Sequence, residues 1–246
     1  MNFLSALLTI IVGISCSGMK DSTKIFYNKC LQDAGAEMII FEEYATSDSL
    51  AQAFVDKIDA LIVPGKAAKD TAKRYTYDRR MMKLALAAKK PVLGICLGHQ
   101  HLNSLMKGKT RKNVDINPDC KQHKVVKDGF NKSLNSRFHK IRIEKDSELY
   151  KMLGNKRKVK VNSSHNFSVA EVGNGLRVTA VSVPDNLVEA IEGENMLGVQ
   201  FHPEFLYGKL GYKQYLPIFQ WLVNTAAANK DAREAAASSE SDGCCQ

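Results

Sequence analysis

Short continuous apolar runs recur through the first part of the chain, separated by longer stretches that are apolar on one helical face only. Leu8 to Ser15, Ala36 to Phe41, Asp59 to Val63 and Pro91 to Ile95 are rich in Ile, Val and Leu, which predicts strands buried on both faces. Between them, Lys24 to Ala34 (stopped by Gly35), Ser49 to Lys57 and Tyr77 to Lys89 predict helices, and His101 to Met106 predicts another. This strand–helix alternation implies an α/β fold with a parallel sheet covered on both faces. In such sheets ligands bind at the carboxyl ends of the strands, where Pro64-Gly65 and Cys96 both fall.

The pattern then changes. His139 to Glu144 alternates with period two, Lys158 to Asn162 is short and extended, and Leu176 to Val183, Val188 to Glu192 and Leu197 to Phe201 read as a meander. A helix from Tyr212 to Asn229 closes the fold, and the small polar tail from Ala235 to Gln246 reads as disordered. The organisation expected is one domain over residues 1–229 and a tail over 230–246.

Composition narrows the function classes. The 246 residues are 44% hydrophobic, enough for one sizeable core. The net charge of +9 gathers partly in Lys107 to Lys112, Lys121 to Lys127 and Lys151 to Lys160. No nucleic-acid motif accompanies these clusters, so they fit an anionic small substrate or acidic peptide better than nucleic acid. The six cysteines show neither zinc-ligand spacing nor a disulfide framework, so neither metal nor cofactor is expected and a reducing, cytoplasmic setting is the simpler one. Phe3 to Ile14 competes as a signal-peptide core, but no Lys or Arg precedes it and it is too short to span a membrane. Cys244-Cys245 reads either as a lipidation signal or as two free thiols in a tail.

Candidate chemistry lies in Gly94-Ile95-Cys96-Leu97-Gly98, an apolar strand that turns tightly into a helix. That is the layout of a nucleophile elbow with cysteine in the serine position. By itself it is equally a buried cysteine in a glycine-punctuated turn. A nucleophilic thiol needs a base, and the base needs an orienting acceptor. Phe201-His202-Pro203-Glu204 supplies both at the end of another buried strand.

GICLGHQ followed by GVQFHPE resembles the class I glutamine amidotransferase superfamily, with similarity running from Thr9 to Ala226. Within it the chain is most similar to the C26-type γ-glutamyl hydrolases, including the γ-glutamyl-γ-aminobutyrate hydrolase group. DALIVPG, His139-x-Ile141-x-Ile143 with Ser147-x-Leu149, and Val161-Asn162-Ser163-Ser164-His165 carry the finer match. The resemblance implies a three-layer αβα sandwich whose central sheet is mostly parallel, with an antiparallel C-terminal extension. It also implies Cys96 as nucleophile, His202 as general base and acid, and Glu204 as orienting residue. Backbone N–H groups of Leu97 and of Gly65 or Lys66 would form the oxyanion hole. Gln100, Ser163, Ser164 and His165 would line the γ-glutamyl pocket, with His165 equally readable as structural.

The chain departs from the family in three ways. Lys66 stands where a second glycine is usual, Asn166-Phe167 follows VNS-x-H where His or Gly and then Gln are common, and Leu97-Gly98-His99-Gln100 is closer to amidotransferase glutaminases. The expected activity is hydrolysis of γ-glutamyl amines, oligo-γ-glutamates or glutamylated peptides through a thioester on Cys96. The rivals are a glutaminase subunit passing ammonia to a synthetase partner and a catalytically silent binding protein on the same fold.

Overall fold

The computed structural model describes residues 9–15, 18–43, 46–65, 71–120, 123 and 138–242. Lys66, Cys16, the Cys244-Cys245 pair and most of the Lys121 to Lys127 cluster lie outside them. Nine strands form one sheet in the order β2-β1-β3-β4-β11-β10-β9-β6-β7. The parallel half comprises β2 (Ala36–Phe41), β1 (Ile10–Ser15), β3 (Ala60–Val63), β4 (Val92–Ile95) and β11 (Met196–Val199). β10 (Val188–Gly193), β9 (Arg177–Ser182), β6 (Phe138–Ile143) and β7 (Lys158–Asn162) continue it antiparallel.

Side-chain alternation along the parallel strands explains their unbroken apolar character. Ala60 and Ile62 face one core, with Val12, Ile14, Leu93 and Ile95, under α1 (Asp21–Ala34) and the C-terminal helix (Leu216–Asp242). Leu61 and Val63 face a second core under α2 (Asp48–Asp56), α3 (Thr71–Ala87) and α4 (Leu97–Leu105). Both faces are dry, so apolar residues are needed at every position. The antiparallel half instead alternates: Ile141, Ile143, Val159 and Val161 are buried, while Lys140, Lys158 and Lys160 are exposed.

Several elements differ from the sequence expectation; the helix expected over His101 to Met106, for one, starts four residues earlier at Leu97. The C-terminal helix runs on to Asp242 rather than stopping near Asn229, carrying helix well into the stretch read as a disordered tail. Its alanine-rich composition favours helix. Asn229 Nδ2 donates to the Lys89 carbonyl at 2.8 Å and Lys230 pairs with Asp59 at 3.2 Å, tying this part of the helix to the sheet. α3 begins at Thr71, six residues before the predicted start. A two-stranded sheet of β5 (Lys109–Lys112) and β8 (Phe167–Glu171) was not predicted at all, because Lys-Thr-Arg-Lys has no apolar alternation. Tertiary bonds hold it: buried Asn103 donates to the Glu171 carbonyl at 3.0 Å and accepts from the Gly173 N–H at 2.8 Å. Among the described residues, no helix is long and apolar enough to cross a membrane.

α4 reaches the sheet only because residue 98 lacks a side chain. A Cβ there would sit 1.8 Å from the Val63 carbonyl oxygen. Gly98→Ala is therefore expected to cost at least about 3 kcal/mol as strand and helix are forced apart. Urea unfolding of the variant beside the parent protein measures this.

Candidate active site

Cys96 sits between β4 and α4 with φ 53° and ψ −99°, the left-handed half of backbone space, where a non-glycine residue carries about 1–3 kcal/mol of strain. Its N–H donates to the Val199 carbonyl of β11 at 2.8 Å, and its carbonyl accepts from the Gln100 N–H at 3.2 Å. The turn is thus held from both sides. Cys96 stands at the N-terminus of α4, whose unpaired N–H groups and dipole favour negative charge. The Leu97 N–H lies at that end, and its side chain is half-buried.

His202 follows β11, directly across from the elbow. Its Nδ1 lies 2.7 Å from Glu204 Oε1, and both residues are buried. The sequence reading assigned no role to Asn162, yet this residue clamps the histidine backbone. Its Nδ2 donates to the His202 carbonyl at 3.1 Å, and its Oδ1 accepts from the His202 N–H at 2.9 Å. Burial lowers the His202 pKa, but the charges of Glu204 and Cys96 and the hydrogen bonds to both outweigh it and hold the imidazole well above 6.5. The ring therefore stands between the Cys96 sulfur on one side and a carboxylate on the other, and both favour its charged form. After Pro203 and Glu204 the chain enters a π-helix, Phe205–Lys209, a form of helix frequent at functional sites.

Gly65 closes the third side. A Cβ on it would lie 2.7 Å from His202 Cε1 and 3.5 Å from the Cys96 Cβ, so the Pro64-Gly65 turn is in contact with both reactive side chains. Buried Arg74 holds that turn, donating to the Pro64 carbonyl at 2.5 Å and the Gly65 carbonyl at 2.8 Å. Asp78, fully buried one helical turn on, accepts from Arg74 Nε at 3.1 Å and from Ser15 Oγ at 2.7 Å, and contacts His101 Nδ1 at 2.8 Å. Arg74 and Asp78 escaped the sequence reading, although opposite charges spaced i,i+4 on a core-facing helix are a legible signal.

The remaining predicted residues divide. Gln100 is buried and donates to the Phe167 carbonyl at 2.8 Å and to Gln200 Oε1 at 3.1 Å, bracing α4 against β8. Ser163 Oγ lies 2.9 Å from His123 Nδ1, and His165 is buried beside Glu189, so both are engaged in a cluster behind the Asn162 clamp. Ser164 is half-buried. His99 is wholly buried against Gly198, and burial depresses its pKa to about 4, which fits support of the elbow by a neutral ring.

Known proteins with the same features carry the comparison further. The family model of Peptidase C26 matches residues 15–204. Protein NtpR of Enterococcus hirae is 28% identical over 66% of this chain and 73% of its own length. Anthranilate synthase component 2 of Saccharolobus solfataricus is also 28% identical, over 68% of this chain and 79% of its own. Among solved structures, the glutaminase domain of Trypanosoma brucei CTPS with bound acivicin superposes with a TM-score of 0.61 at 19% identity, covering 89% of this chain and 94% of that one.

Removing the Glu204 charge takes away the largest of the interactions that raise the His202 pKa. In Glu204→Gln the imidazole pKa should fall below that of the parent protein. An NMR titration of the His202 ring carbons reads this directly; an unchanged midpoint would contradict the assigned pairing.

Proposed function

This chain belongs to the peptidase C26 family of class I glutamine amidotransferase-like proteins, and we propose that it is a cysteine-dependent hydrolase of γ-glutamyl amide bonds. The observation that carries this reading is the convergence of a strained Cys96, a His202 paired with Glu204, and the Gly65 turn. Substrates would be γ-glutamyl amines, oligo-γ-glutamates or glutamylated peptides. The positive net charge of the chain supports the more acidic of these.

The reaction follows from the geometry. The Cys96 thiolate attacks the side-chain carbonyl carbon of the γ-glutamyl group, and the carbonyl π electrons move onto oxygen. The N–H groups of Leu97 and of Gly65 stabilise that oxyanion. His202 gives its proton to the leaving nitrogen as the carbon–nitrogen bond breaks, leaving a thioester on sulfur. The neutral ring then takes a proton from water, and the resulting attack releases glutamate and regenerates the thiolate. Glu204 keeps the ring orientation through both proton transfers.

Arg74 acts through the turn it holds. Because oxyanion donors matter most in the transition state, loosening them lowers kcat more than it raises KM.

The alternative reading is a glutaminase that delivers ammonia to a synthetase. Leu97-Gly98-His99-Gln100 and the similarity to anthranilate synthase component 2 support it. A screen of the pure protein against glutamine, γ-glutamyl amines, folate-like polyglutamates and glutamylated peptides separates the two. Turnover of the longer γ-glutamyl compounds by the isolated chain supports the hydrolase. Glutamine turnover that requires an added synthetase supports the alternative.

Cys96→Ala should abolish turnover while leaving the thermal midpoint within a few degrees of the parent protein; residual activity in that variant would remove Cys96 from the mechanism. Arg74→Lys, which keeps the charge but cannot span both carbonyls, is expected to lower kcat by about tenfold or more with a smaller change in KM. Steady-state kinetics on the preferred substrate check the split.

A further inference from the structure

Behind the catalytic clamp lies a second group of buried titratable side chains that the proposed mechanism does not use. His123, His139, His165, Asp185 and Glu189 are all buried. Three imidazole nitrogens converge on one carboxylate oxygen. Glu189 Oε1 is 3.0 Å from His139 Nε2, 3.5 Å from His165 Nε2 and 3.7 Å from His123 Nδ1. Neither Glu189 oxygen has a partner in hydrogen-bonding geometry among the described residues, nor has His165 Nε2 or either nitrogen of His139.

The surrounding bonds locate the ring protons. His165 Nδ1 lies 3.1 Å from the Phe167 carbonyl and 3.3 Å from Ser168 Oγ, whose hydrogen is committed to Asn113 Oδ1 at 2.9 Å. Asn113 Nδ2, also 3.3 Å from Nδ1, donates to the His165 carbonyl at 3.1 Å. The His165 proton therefore belongs on Nδ1, and Nε2 turns a lone pair toward Glu189. His123 Nε2 lies 3.0 Å from Asp185 Oδ2, outside strict hydrogen-bonding geometry yet close enough for that carboxylate to draw the ring's proton to this side. Its Nδ1 is left as an acceptor, at present for Ser163 Oγ. Lone pairs aimed at a carboxylate in a dry interior repel one another, and a cation among them reverses the sign.

We propose that His123, His165 and Glu189 form a binding site for a divalent ion of the zinc type, with His139 as the fourth donor. The donor atoms of the first three lie within 4.8 Å of one another. Two or three imidazoles with a carboxylate are a donor set that suits zinc. With metal–ligand bonds of about 2.0–2.1 Å, tetrahedral corners stand about 3.4 Å apart, and the oxygen–nitrogen separations of 3.0 to 3.7 Å bracket that value. Asp185 on His123 and the Phe167 carbonyl on His165 are the outer partners that ligating histidines use to fix tautomer and orientation. Binding here ties the Ser163–His165 loop to β10, next to the Asn162 clamp on His202, so the ion's role is structural. The expectation of no metal rested on cysteine spacing and on a mechanism that needs none, and both are blind to three histidines and a glutamate contributed by four distant parts of the chain.

The test uses the full-length protein expressed with zinc, dialysed, and measured for metal content, then stripped and titrated with cobalt(II). Near-stoichiometric zinc, visible cobalt absorption of a tetrahedral site, and a zinc-dependent rise in thermal midpoint are expected in the parent protein. All three should be lost in Glu189→Gln and His165→Gln. Far-UV circular dichroism identifies a variant that fails to fold; in that event the more conservative His139→Gln, expected to weaken cobalt binding at least tenfold, takes its place. A folded parent protein that retains no zinc and gives no cobalt spectrum overturns the proposal. So does metal binding that persists undiminished in the folded variants.

Discussion

One distance governs the catalytic end of this molecule: the approach of α4 to the Val63 carbonyl, too close for even a methyl group at residue 98. That approach lets the helix start directly over the sheet, which forces Cys96 into a left-handed turn and sets the helix N-terminus around it. The strain at Cys96 persists because β11 and α4 hold its backbone from opposite sides. His202 and Gly65 pack beside the thiol, each held by its own polar contacts through Asn162 and Arg74. The interior is dense, so a change at the elbow would be transmitted to all three.

Two buried polar networks flank this point, and they do different work. Arg74 and Asp78 bind the ends of β1 and β3 to α3 and α4, with each charge met by several hydrogen bonds. Such a fully met pair costs little in stability and defines one geometry for the turn that abuts the nucleophile. The histidine cluster on the other side is incompletely met among the described residues. Its position between β6, β7 and β10 makes it a seam where the antiparallel half of the sheet meets the loops near the catalytic histidine.

How much of this was legible in the sequence follows from what each signal measures. The central parallel strands were legible because burial on both faces leaves few polar positions; the edge strand Ala36–Phe41 and the alternating Lys158–Asn162 also came out with the observed bounds. Cys96 and His202, the proposed nucleophile and base, were legible because each sits at a strand end marked by glycine or proline. β5 was not, since its stability comes from Asn103 and from pairing with β8 rather than from its own residues. Asn162, Arg74 and Asp78 were missed for a related reason. Their roles lie in contacts made in the folded chain, with the His202 backbone for Asn162, with the Pro64-Gly65 turn for Arg74 and with Ser15 and His101 for Asp78, and strand or helix periodicity does not name those partners.

The central place of β11 has a kinetic meaning. It pairs in register with β4, Gly198 opposite Gly94 and Val199 opposite Ile95, across about a hundred residues of intervening chain. Contacts of such long range form late, after shorter loops have closed. A nascent or partly unfolded chain would carry Cys96 without His202 beside it. The pair that the proposed mechanism needs comes into being only on closure of the sheet, so that chemistry would belong only to molecules that have finished folding.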